Sequence, residues 1–244
     1  GSTRSARSVA KSRLPDRPGG GLTTLSRKLA AEALGTAFLL AAVIGSGIMG
    51  ERLAGGNIAL VLLANSLATG CALVALIHAF APVSGAHFNP VVTLAAALAG
   101  ELPWRHAAAY ALIQVIAAFA GVAAAHLMFG EPLFFASRQE RAGLAQWWSE
   151  FIATFGLIAV IAGSARFGPQ AVPYSVGAYI AAAYWFTAST SFANPAVTLA
   201  RAASDTFAGI RPGDALPFVV AQLLGAVAAA PLMRWLTAQA PPVR

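Results

Sequence analysis

Charge is scarce in this chain: only 10% of its 244 residues are Asp, Glu, Lys or Arg, whereas 58% are hydrophobic. A soluble domain of this length carries more charge against less apolar surface, so the solvent for most of the chain is lipid. A single cysteine, Cys71, excludes a disulfide framework and leaves the redox compartment unread. Histidine is scarce too, and His78, His87, His106 and His126 share no metal-ligand spacing, so neither a metal centre nor a cofactor is expected. Glycine-rich phosphate loops and catalytic triads are absent, so no enzyme activity is expected. Acidic residues number 9 against 16 basic ones. That excess does not mark a nucleic-acid partner, because seven of the basic residues crowd into the first 28 positions (Arg4, Arg7, Lys11, Arg13, Arg17, Arg27 and Lys28). Such clustering is a topology signal.

What the chain has in abundance is long apolar runs. They lie at about 29–50, 57–82, 104–128, 145–166, 173–190 and 215–237, six segments long enough to span a hydrocarbon core of about 30 Å. Two shorter runs, 89–100 and 194–205, are closed by Glu101 and by Asp205 and Gly209 after only about 15 Å of helix. Both open on nearly the same heptapeptide, Asn89-Pro90-Val91-Val92-Thr93-Leu94-Ala95 and Asn194-Pro195-Ala196-Val197-Thr198-Leu199-Ala200. Asn is a strong N-cap and Pro is favoured at the first helical position, so each heptapeptide reads as a helix start. The expected fold is therefore an all-α membrane protein with six transmembrane helices and two re-entrant half-helices. An odd number of spans in each half makes the second half an inverted copy of the first.

Other residues repeat at matching places. Glu32 and Thr36 open the first span as Glu150 and Thr154 open the fourth, and Gln114 in the third span is matched by Gln222 in the sixth. A carboxylate inside a span is costly unless it faces the protein interior and is hydrogen-bonded. Glu32 and Glu150 are accordingly read as scaffold groups that accept N–H bonds from the loops leading into the half-helices. Residues 1–24 read as a disordered basic cytoplasmic tail, 25–237 as one channel domain with repeats at about 28–128 and 145–237, and 238–244 as a C-terminal cytoplasmic tail. With the N-terminus inside, eleven basic residues fall on the cytoplasmic side and five (Arg52, Arg138, Arg141, Arg201 and Arg211) outside, which satisfies the positive-inside rule.

The half-helices then enter from opposite sides and their Asn-Pro tips meet at mid-membrane. Two helix N-termini facing each other place positive potential there and repel cations. Asn89 and Asn194 can offer amide donors to a solute oxygen, which breaks a proton wire at the pore centre. The stretches before them, with Gly85, Ala86 and His87 in one and Phe192 and Ala193 in the other, would line the approach with backbone carbonyls.

Ser84-Gly85-Ala86-His87-Phe88-Asn89-Pro90, the second Asn194-Pro195-Ala196 and the paired Glu-x-x-x-Thr resemble the aquaporin or major intrinsic protein family over about 25–237. The resemblance implies a homotetramer in the lipid bilayer with a separate pore in each subunit. It also implies an outer constriction of four positions, which an ungapped count from the motifs places at Thr69, Ala182, Ser191 and Val197. The Ala182 assignment requires an ungapped fifth span, and Tyr184 is its neighbour. Where the family pattern has arginine directly after the second Asn-Pro-Ala, this chain has Val197. The constriction is therefore expected to be wide and weakly polar. Arg201, one turn farther toward the outer mouth, reads either as a displaced filter cation or as a surface residue paired with Asp205. Cys71 reads as a packing residue or as a thiol near the outer pore. Asn194-Pro-Ala-Val-Thr-Leu-Ala-Arg201 with the Ser204-Asp-Thr-Phe-Ala-Gly-Ile210 that follows also resembles bacterial members associated with arsenic resistance.

The expected function is passive passage of small neutral solutes across a bacterial inner membrane, with metalloid species (arsenite, methylated arsenicals), glycerol-like polyols and water as candidates. A water-selective pore is the nearest alternative, and the absent arginine argues against it. An inverted-repeat secondary transporter is a more distant one, since the only two intramembrane acids occupy equivalent scaffold positions.

Overall fold

The structure is a computed structural model that describes residues 23–238; the expected tails at 1–24 and 238–244 lie outside the described residues except for residues 23, 24 and 238. The chain forms eight α-helices there: α1 (Leu25–Leu53), α2 (Ile58–Ser84), α3 (Pro90–Leu98), α4 (Trp104–Phe129), α5 (Leu144–Ser164), α6 (Ala171–Phe186), α7 (Pro195–Arg201) and α8 (Pro212–Thr237), with a short 3₁₀ turn after α5. α1, α2, α4, α5 and α8 are long and apolar enough to cross a membrane.

The expected span at 173–190 is shorter. α6 stops at Phe186 after 16 residues, about 24 Å of helix. Thr187 turns extended there, and its hydroxyl bonds back to Ala183 O at 2.6 Å. The Ala-Ser-Thr-Ser run that follows belongs to the loop, as expected where hydroxyl side chains compete for backbone groups. α3 and α7 are also shorter than the runs that marked them, with 9 and 7 residues.

The packing repeats. α1 lies against α2 and α4, and α5 lies against α6 and α8, while α2 against α6 joins the two sets. The half-helices cross over, α3 packing on α8 and α7 on α4. At the α2–α6 crossing Gly70 faces Gly177: a Cβ on Gly177 would stand 2.6 Å from Gly70 O, and one on Gly70 would stand 2.8 Å from Gly177 O. Between apolar helices in lipid, contact this close requires small residues on both sides. The buried core gathers along α1, α2, α5 and α6, from Leu40 and Ile44 to Leu157 and Ile180, and surrounds the segments that carry the half-helices.

Candidate functional site

Each half-helix starts where the sequence places it. Asn89 and Asn194 have extended backbones (φ −156° and −159°) and each caps its own helix. Asn89 Oδ1 accepts from Val91 N at 3.0 Å, and Asn194 Oδ1 accepts from Ala196 N at 3.0 Å and Val197 N at 3.3 Å. With the oxygens committed, the amide nitrogens reach across the repeat. Asn89 Nδ2 donates to Ala193 O and Asn194 Nδ2 donates to Phe88 O, both at 2.8 Å. A carboxamide has two N–H groups, so each Asn keeps one beyond this cross-bond.

The two loops have matching strain. Residues three and one before each Asn are left-handed without being glycine: Ala86 (φ 52°) and Phe88 (φ 50°) in one loop, Ser191 (φ 49°) and Ala193 (φ 47°) in the other. Such backbone persists only when its surroundings hold it. Glu32 does so in the first repeat, fully buried, accepting from His87 N at 2.9 Å, Phe88 N at 2.7 Å, Ser84 Oγ at 2.7 Å and Gln114 Nε2 at 2.8 Å. Glu150 does so in the second, accepting from Phe192 N at 2.8 Å, Ala193 N at 2.9 Å and Gln222 Nε2 at 2.6 Å. Each glutamine also donates to a threonine, Thr93 or Thr198, whose hydroxyl donates to the carbonyl of the capping Asn. Sequence reasoning paired the glutamines but missed these threonines, although both lie inside the duplicated heptapeptide.

A cavity of about 790 Å³ is lined by Asn89 and Asn194, by Gly85, Ala86 and His87, and by Phe192 and Ala193. It reaches Glu101 after α3 and Arg234 near the end of α8, and on the α7 side Thr69, Tyr184, Ser191, Val197 and Arg201. Ala182 is corrected: it is exposed and does not line the cavity. Tyr184 lines it instead, buried, with its phenol paired to Thr69 Oγ1 at 3.2 Å. The count from Asn194 failed because the intervening link is irregular and its length is not set by helical geometry. Two residues along a helix turn a side chain by about 200°, so Ala182 and Tyr184 face opposite ways.

The Arg201–Asp205 pair is corrected as well. Arg201 is 1% exposed, with its guanidinium carbon 3.3 Å from the Phe192 ring centroid and its Nε donating to Ala208 O. The chain leaves the helix at Arg201, so helical i,i+4 spacing no longer brings Asp205 alongside. Asp205 instead accepts from Arg138 N at 2.8 Å and Arg138 Nε at 2.6 Å. That grip, with the backbone N–H bond leading, holds the Asp205 carboxyl below its ordinary range. Nearby Arg141 donates to the carbonyls of Gly209, Ser189 and Phe207, and burial lowers its proton affinity against the pull of Glu150. Cys71 is exposed and does not line the cavity.

Paired half-helices joined tip to tip beside an internal cavity, inside apolar spans, define a multi-pass membrane channel of the re-entrant, inverted-repeat kind. The sequence pattern described as Major intrinsic protein matches residues 22–169 and 165–243, and the chain belongs to that family. It is 57% identical over 219 residues, 90% of this chain and 94% of the relative, to Aquaglyceroporin AqpS of Rhizobium meliloti (strain 1021). Aquaporin NIP1-3 of Oryza sativa subsp. japonica is 34% identical over 71% of this chain and 62% of that protein. Among solved structures, the aquaglyceroporin from Plasmodium falciparum superposes with a TM-score of 0.67 at 20% identity, covering 87% of this chain and all of the other. The protein is therefore a channel and not an enzyme.

Proposed function

We propose that this channel passes small uncharged solutes wider than water, namely metalloid species (arsenite, methylated arsenicals) and glycerol-like polyols together with water. Its constriction is made by Thr69, Tyr184, Ser191 and Val197. The observation that carries the reading is Val197: the residue directly after the second Asn-Pro-Ala is buried, lines the cavity, and is small and uncharged. The strong identity to a relative named an aquaglyceroporin supports the solute class. At the centre, the opposed helix N-termini and the free N–H of Asn89 and Asn194 receive a solute oxygen while repelling cations. The subunits assemble as homotetramers in a bacterial inner membrane, with both termini in the cytoplasm, as the distribution of basic residues favours.

Proteoliposomes given an osmotic jump with glycerol or arsenous acid should shrink and then reswell as solute enters. Exclusion of every solute larger than water would overturn the proposal. Val197→Arg places a long charged side chain against the cavity and should sharply reduce glycerol entry while sparing water more. Unchanged glycerol entry would remove Val197 from the constriction.

A further inference from the structure

Two polar atoms beside the cavity have no hydrogen-bond partner among the described residues. One is Arg201 Nη1 and the other is Ser191 Oγ; their residues are 1% and 2% exposed, and both line the cavity. Buried polar groups are nearly always satisfied, and a guanidinium nitrogen or hydroxyl left open costs free energy that a folded protein seldom bears without use. The rest of Arg201 is well held, its Nε by Ala208 O and its plane by the Phe192 ring. The guanidinium is thus fixed in place with both N–H groups of Nη1 to spare.

From this geometry we infer that Arg201 and Ser191 form a solute-binding subsite in the cavity. Arg201 supplies the fixed positive charge and donor, one helical turn beyond Val197, and Ser191 supplies a hydroxyl. The class of ligand is a small neutral polyol or oxyacid. Its hydroxyl or oxo oxygen accepts from Arg201 Nη1, and a second oxygen pairs with Ser191 Oγ, which can donate or accept. Val197 faces the carbon skeleton or any methyl group. The inference rests on the proposed solute function and makes the pore cationic at this level even though Val197 is neutral. Tyr184 also faces Arg201, with its phenol paired to Thr69 Oγ1; the charged groups within electrostatic reach are Glu150, committed to its loop N–H groups, and Arg141, committed to backbone carbonyls with its guanidinium carbon 5.0 Å from the centroid of the same Phe192 ring. Neither is free to replace Arg201.

The test uses the full-length chain in proteoliposomes, with glycerol and boric acid as probes and a pH dye trapped inside. Ser191→Ala removes only an unpaired hydroxyl, at a backbone angle that Ala86 and Ala193 already adopt, so it should fold. It should lower the glycerol-to-water permeability ratio about threefold, the worth of one hydrogen bond. Arg201→Gln should raise proton leak at least ~tenfold, since one unit charge within about 10 Å of the path at an effective dielectric constant of about 20 is worth at least that factor. Arg201→Lys keeps the charge and should hold the leak near the wild-type level, which general loosening of the fold would not do. An unchanged ratio in Ser191→Ala, or an unchanged leak in a folded Arg201→Gln, overturns the inference. Should Arg201→Gln fail to fold, Ser191→Ala decides alone. Should the wild type pass water only, the function proposed above fails, and the proton-leak comparison still decides whether Arg201 supplies the charge.

Discussion

Asn89 and Asn194 each serve two ends at once, capping a half-helix with oxygen and holding the other repeat's loop with nitrogen. Glu32 and Glu150 then fix the loops themselves. Glu150→Gln replaces one acceptor oxygen with a donor facing other donors, the N–H of Phe192 or Ala193 and the Gln222 amide. A cost of about 1–3 kcal/mol is expected for the unsatisfied group. Thermal unfolding in detergent should show this loss, with the glycerol-to-water ratio of the surviving channels kept; a selectivity switch at normal stability would contradict a holding role. The positions at which this network sits were legible in the sequence because duplication marked them twice. Tyr184 was legible only as the alternative to Ala182, because its register depended on the length of an irregular link. Arg201 was half legible: its place one turn after Val197 could be counted, but only the packing of Phe192 and Ala208 decides that it lies inside.

Element boundaries followed local chemistry. α3 ended at Leu98, just before the left-handed Gly100, α6 ended at a hydroxyl-rich run, and α7 ended at Arg201, ahead of Ser204 and Asp205. Hydropathy alone kept counting apolar residues past these stops, which is why the span at 173–190 came out too long. Helix crossings were not legible at all, since nothing in the sequence says which glycine meets which. Gly70 and Gly177 make the α2–α6 contact, and it joins the two repeats. Gly177→Val should cost about 1–3 kcal/mol by overpacking, because the new Cβ meets the Gly70 carbonyl oxygen at 2.6 Å, which cannot swing away, as well as the Val74 side chain at 2.5 Å. Gly163→Val is the matched control, as its added Cβ meets nothing within 4 Å. Equal thermal stability of the two variants would mean that α2 and α6 stand farther apart than described.

Over the whole molecule the two repeats are knit by crossing half-helices within the fold and by a strap at one end. The strap is the segment between α4 and α5, residues 130–143. It pairs Phe135 N with Ala203 O and Ser137 N with Ala202 O, and its Gln139 carbonyl accepts from Arg211 N. Its ion pairs to the rest of the fold are Glu131 with Arg52, Glu140 with Arg211 and, the shortest, the fastening of Arg138 on Asp205. Because the folded state depresses the Asp205 carboxyl below 3.8, this fastening contributes in full above the ordinary carboxylate range. It is lost as pH falls through the lower, folded-state value, where Asp205 takes up a proton and Arg138 loses its partner. Asp205→Asn should therefore unfold a few degrees below the wild type at pH 7, and the gap should close as both proteins are titrated well below pH 3.8. The effect is modest because Arg138 is largely in solvent, where ion pairs are screened. A gap that persists unchanged at the acid end would mean that Asp205 acts through packing rather than through its charge.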